Sequence, residues 1–109
     1  MRFRYAFNGL KFSFASEHSI WIHSSATGLI IILSIVKRVT AIEALAILFS
    51  VAFVWMAELF NTAIEKLADQ VCQEYNKQIK IVKDLSAAAV LIASLAAMTV
   101  GLIIFIPKF

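Results

Sequence analysis

Hydrophobic residues gather into three long runs, at about residues 20–36, 41–57 and 85–106. Polar residues collect before and between them. Lys37 and Arg38 close the first run, and Pro107 stops the third. No run alternates as a strand would, and only three glycines and one proline are available to interrupt helices. Runs of this kind predict bilayer-crossing helices, because a helix satisfies its own backbone groups in lipid. The first run is short, as spans with little tilt or with polar flanks are. Residues 1–20 read differently: Phe, Tyr and Trp are mixed with Arg2, Arg4, Lys11 and Glu17, which predicts an amphipathic helix at the membrane surface. The expectation is an all-α integral membrane protein, with an N-terminal surface helix followed by three transmembrane helices.

The second run does not end cleanly. After 14 uncharged residues from Ala44 to Ala57 come Glu58, Asn61, Glu65 and Asp69, spaced three, four and four apart. On a helix these share one face. The helix is therefore expected to leave the membrane and continue to about Gln70, with a polar connector over residues 71–83. Ionisable groups at a bilayer boundary are costly, and they suggest function before decoration.

Composition supports this picture. Apolar residues make up 61% of the 109 residues, and the mean hydropathy is +0.87. That excludes an ordinary soluble domain and fits a single membrane domain. The net charge of +3 is small, and no basic patch is interleaved in a way that suits nucleic acid. The charge instead sets orientation. Arg2, Arg4, Lys11, Lys66, Lys77, Lys80 and Lys83 fall on one side of a three-span topology, against Lys37, Arg38 and Lys108 on the other. The richer side is expected in the cytoplasm, which puts the acidic stripe where ATP is available. Residues 1–11 lack the apolar core and cleavage site of a signal peptide. Cys72 is the single cysteine, so no internal disulfide can form.

Ala89, Ala93, Ala97 and Gly101 recur every four residues in the third run. Such stripes let helices approach closely, and three spans alone cannot enclose a large polar site, so a homo-oligomer is expected. The familiar nucleotide, zinc and triad motifs are missing. What remains is carboxylates (Glu17, Glu58, Glu65, Asp69, Glu74 and Asp84) on the expected cytoplasmic side. Hard oxygen ligands of this kind suit Mg²⁺ shared with phosphates. A spare carboxylate can act as general base toward a hydroxyl, and Lys83 can neutralise phosphate charge. These are the parts that phosphoryl transfer needs. Plainer readings stand beside them. Glu65 and Asp69 fit a solvated helix face, Asp84 fits an N-cap of the third span, and Lys83 fits an orientation charge. His23 fits an interfacial histidine, while Trp21 and Tyr5 fit interfacial anchors.

The segment Glu58-Leu-Phe-Asn61-Thr62-Ala63-Ile64-Glu65-Lys-Leu-Ala-Asp69 resembles the signature E-x-[hydrophobic]-N-[ST]-[SA]-[hydrophobic]-E-x-x-x-D of the prokaryotic diacylglycerol kinase family, which includes the undecaprenol kinases. Lys83-Asp84-Leu-Ser-Ala-Ala-Ala-Val-Leu-Ile-Ala extends the match, as do Gly9-Leu10-Lys11 and Glu17. The resemblance implies Glu58 as catalytic base and Asn61 as a supporting amide. It implies Glu17 and Glu65 as metal-binding carboxylates, also at ATP. It further implies Tyr5, Glu74, Tyr75, Asn76, Lys83 and Asp84 as nucleotide contacts. It implies a homotrimer in the bacterial cytoplasmic membrane, with sites shared between protomers and Mg²⁺ as cofactor.

Well-known diacylglycerol kinases carry an acid where this chain has His23, which leaves the lipid acceptor open. The implied reaction is ATP- and Mg-dependent phosphorylation of a membrane lipid hydroxyl, foremost diacylglycerol to phosphatidate, with undecaprenol as the alternative acceptor. A small oligomeric transporter is a reading of another class. It calls for polar residues through the bilayer, whereas mid-span the runs hold only small hydroxyls such as Ser34, Ser50, Ser94 and Thr99.

Overall fold

The computed structural model describes residues 2–16 and 18–109, without the side chains of residues 13–16 and 18–20. Four α-helices run in order: α1, Arg2–Ser16; α2, His18–Val36; α3, Ala41–Val71; and α4, Lys77–Phe105, which ends in a short 3-10 turn at Ile106–Lys108. Contacts divide the chain into two units, Met1–Arg38 and Val39–Phe109.

In the first unit, α1 carries three cations and no acid. Its helical period gathers Phe3, Phe7 and Leu10 on one side. In α2 two hydroxyls are absorbed by the helix itself: Thr27 Oγ1 donates to the His23 carbonyl and Ser34 Oγ to the Ile30 carbonyl, both at 2.7 Å. An apolar helix carries such residues cheaply this way. The chain leaves α2 through Arg38, whose φ of 53° is left-handed. That conformation ends many helices but usually falls to glycine, since a Cβ there costs roughly 1 kcal/mol.

The second unit is a helical hairpin. α3 starts with a capping box: Thr40 Oγ1 accepts from the Glu43 amide, and the Glu43 carboxylate accepts from the Thr40 amide. Glu43 also meets Lys108 Nζ at 3.0 Å, so the beginning of α3 holds the end of α4. At the other end only residues 72–76 join the helices. α3 ends at Val71, one residue past the expected end. The connector expected over 71–83 is corrected: α4 begins at Lys77, capped by the Asn76 side chain, which accepts from the amides of Gln78 and Ile79. Asp84 is therefore not an N-cap. It lies two turns inside α4, where it accepts from Lys80 Nζ at 2.6 Å. Hydropathy marks where a helix enters lipid, not where it begins, and the first two turns of α4 are polar enough to hide the helix.

α3 and α4, the latter extended through Lys108, are each long and apolar enough to cross a membrane. In a soluble protein such helices would be buried. Here the most apolar stretch of α3 has no buried residue and that of α4 only 11%. Ile42, Leu48, Phe49, Phe53, Leu91, Ile92 and Ile103 are all exposed. Among the described residues only Ala68, Ser86, Ile104 and Phe105 are buried. This is the surface expected of an integral membrane protein, with apolar side chains left to meet lipid or other membrane helices. The first expected span appears as a shorter apolar helix, Trp21–Val36.

Candidate active site

The polar stripe of α3 meets α4 through Asn61 and, further along, through Asp69. Asn61 is half-buried, and its amide faces two ways. Its Oδ1 accepts from the Ser86 hydroxyl at 2.7 Å, and its Nδ2 donates to Glu65 Oε1 at 3.2 Å. Ser86 is 7% exposed, the only polar side chain buried among the described residues. The chain Ser86–Asn61–Glu65 thus fixes the amide by a bond across the hairpin, and the amide then turns the carboxylate. Glu58 lies three residues before Asn61 on the same face, half-buried where the uncharged part of α3 ends.

A second cross-hairpin bond lies one or two turns further along. Lys83 Nζ donates to Asp69 Oδ1 at 2.6 Å, with both side chains partly exposed. The hydrogen bond to Asp69, with the attraction of the Asp69 and Glu65 charges, raises the Lys83 pKa above its ordinary value despite some desolvation. Lys83 therefore stays charged through the neutral range. Asp69, whose part the sequence left open, is the partner of this lysine.

Between α3 and α4 a groove of about 560 Å³ runs away from the Asn61–Ser86 pair. Phe53, Ala57 and Phe60 line it from α3, and Ala89, Ala93 and Ala97 from α4. The alanines that repeat every four residues leave this space open, since each spares the volume of a larger side chain. An apolar trough therefore ends at a fixed amide and, one turn on, a carboxylate.

The other expected site residues are placed as follows. Glu74, Tyr75 and Asn76 form the turn of the hairpin, all exposed. The Glu74 carbonyl accepts from Cys72 Sγ at 3.1 Å, and Asn76 caps α4. Tyr5 lies exposed on α1, and His23 is half-buried on α2. Glu17 lies outside the described residues. The residue missed by sequence reasoning is Ser86. It stands inside the Lys83-Asp84-Leu-Ser stretch, but a serine among alanines gives no sign of a partner 25 residues away.

Among the described residues no group of three His, Cys, Asp or Glu side chains could hold a metal ion. Glu65 is exposed, and Asn61 engages one of its oxygens. That leaves acceptor capacity on the carboxylate. A single oriented carboxylate fits Mg²⁺, which keeps several waters and draws other ligands from substrate phosphates.

A family model described as prokaryotic diacylglycerol kinase matches residues 4–105. The chain is 35% identical over 106 residues to a diacylglycerol kinase of Synechocystis sp., covering 96% of this chain but 61% of that protein. It is 28% identical over 106 residues to an undecaprenol kinase of Bacillus subtilis, covering 97% of this chain and 86% of that one. A diacylglycerol kinase of Escherichia coli is 31% identical over 93 residues, or 85% and 76% of the two chains.

Proposed function

Because the chain belongs to the prokaryotic diacylglycerol kinase family, a family of lipid kinases, we propose that it transfers the γ-phosphate of ATP to the hydroxyl of a membrane lipid alcohol, foremost diacylglycerol. The observation that carries this reading is the junction at Asn61. There an apolar groove large enough for part of an acyl chain ends at the Ser86–Asn61–Glu65 chain. A lipid hydroxyl and a phosphate have to meet at such a boundary, one partner arriving from oil and the other from water.

Each residue then has a task. Glu58 takes the proton of the lipid hydroxyl as its oxygen bonds to the γ-phosphorus, while the bond from that phosphorus to the bridging oxygen breaks and ADP leaves. Glu65, with Glu17 as the family resemblance implies, would hold Mg²⁺, which would neutralise phosphate charge. Asn61 orients Glu65. Lys83, charged and anchored by Asp69, offers its remaining protons to phosphate oxygens. Asp84, Tyr5 and the hairpin turn at Glu74, Tyr75 and Asn76 contact the nucleotide. Trp21–Val36 serves as a third span, tilted little, since 16 helical residues cover roughly 24 Å. The protein assembles as a homotrimer in the bacterial cytoplasmic membrane, with its sites at the cytoplasmic face and shared between protomers.

Undecaprenol is the second reading for the acceptor. The match to the Bacillus subtilis undecaprenol kinase and the histidine at His23 both favour it. Purified protein in lipid, given labelled ATP and Mg²⁺, is expected to label added diacylglycerol faster than undecaprenol. The reverse order replaces the acceptor, and labelling of no lipid alcohol removes the proposal.

A further inference from the structure

The charge on α1 is of one sign only. The helix holds Arg2, Arg4 and Lys11, and it contains no acid to balance them. Phe3 and Phe7 are 83% and 71% exposed. At 100° per residue, Phe3, Phe7 and Leu10 fall within one narrow sector, with Arg4 and Lys11 along one border and Arg2 on the other. A helix of this kind, laid flat with that sector down, puts Phe3 and Phe7 among acyl chains and lets the cations reach up to the headgroups.

Aromatic rings alone would bind any bilayer. Cations on both borders, with no acid anywhere on the helix, match a surface of negative charge. We propose that α1 is an electrostatic dock that selects an anionic bilayer surface, and that the docked and undocked states of this helix are set by the lipid charge around it. A leaflet of anionic phospholipid favours the docked state by about five-fold for each Arg or Lys near the surface, so the three together give roughly a hundred-fold. Salt removes this advantage, because exposed charges are screened beyond about 3 Å at 1 M. An orientation role for the same cations, by contrast, ends once the chain is inserted.

The test uses the full chain in vesicles, with a nitroxide at Ala6→Cys in a Cys72→Ala background. Depth and mobility of the label are read in phosphatidylcholine alone and in phosphatidylcholine with one third phosphatidylglycerol, at low and at molar salt. The expected result is a docked, slowly tumbling label only in the anionic vesicles at low salt. Arg2→Gln with Arg4→Gln should lower the docked-to-undocked ratio by about 25-fold there. Equal docking in both vesicle types, or docking that ignores salt and the two arginines, overturns the proposal in favour of a purely apolar anchor. A label whose restriction follows protein concentration instead of lipid charge overturns it in favour of contact between copies. The readout concerns α1 alone, so it stands or falls apart from the identity of the lipid acceptor.

Discussion

Replacing Ser86 with alanine removes one oxygen and nothing else of consequence to packing. That oxygen is buried, and it lies 2.7 Å from Asn61 Oδ1 on the other helix. Hydrogen bonds between membrane helices measured by double-mutant cycles average about 0.6 kcal/mol and reach about 1.7. A short bond from a buried hydroxyl belongs in the upper half of that range, so Ser86→Ala should cost about 1 kcal/mol. Asn61→Ala should cost more, about 2 kcal/mol, because it also strips Glu65 of its donor. The double variant should then fall short of the sum by about 1 kcal/mol, which is the coupling of the pair. Reversible unfolding in mixed micelles, followed by circular dichroism as denaturing detergent is added, measures all three. Turnover gives an independent axis: Asn61→Ala should lose more activity than Ser86→Ala, since Glu65 is turned by Asn61 and not by Ser86. A coupling under about 0.3 kcal/mol, the level at which separate sites simply add, would refute the idea that the serine fixes the amide.

Glu58→Gln should keep the unfolding midpoint while turnover falls by about 10²–10⁴-fold; full activity in that variant would remove Glu58 as the base. The Lys83–Asp69 bond should show in alkali. With the folded pKa of Lys83 above its ordinary 10.5, its contribution to stability is complete below about pH 10 and is lost as pH rises through the folded pKa. Lys83→Met should therefore flatten that alkaline decline, and an unchanged decline counts against the pair. Ala93→Leu, which fills the middle of the groove, should raise the KM for the lipid while leaving that for ATP in place; equal effects on both would separate the groove from the lipid.

Much of the hairpin was legible from pattern alone. The stripe from Glu58 to Asp69 carries helical spacing past the last apolar run, and α3 does continue to Val71. The start of α4 was not read. Lys77, Lys80 and Lys83 looked like a connector, although Asn76 is a strong capping residue and Ile79 and Val82 keep an apolar side. The polar residues of the site separate in the same way. Glu58, Asn61 and Glu65 announce themselves by spacing within one helix. The links from Asn61 to Ser86 and from Asp69 to Lys83 do not, because a bond across a hairpin depends on where the turn falls, and a shift of one residue would move every pair.

The ion pairs Glu43–Lys108 and Asp69–Lys83, which cross the hairpin, divide its helices into matching lengths. Glu43 to Asp69 along α3 and Lys83 to Lys108 along α4 each span roughly 38 Å. They act as rungs at the two ends of a ladder whose rails are equal. Rails held this way cannot slide past one another without parting a rung, so the register of Asn61 against Ser86 is kept from both directions. Between the rungs lies the groove, walled on the α4 side by Ala89, Ala93 and Ala97, so the two pairs bracket it from both ends.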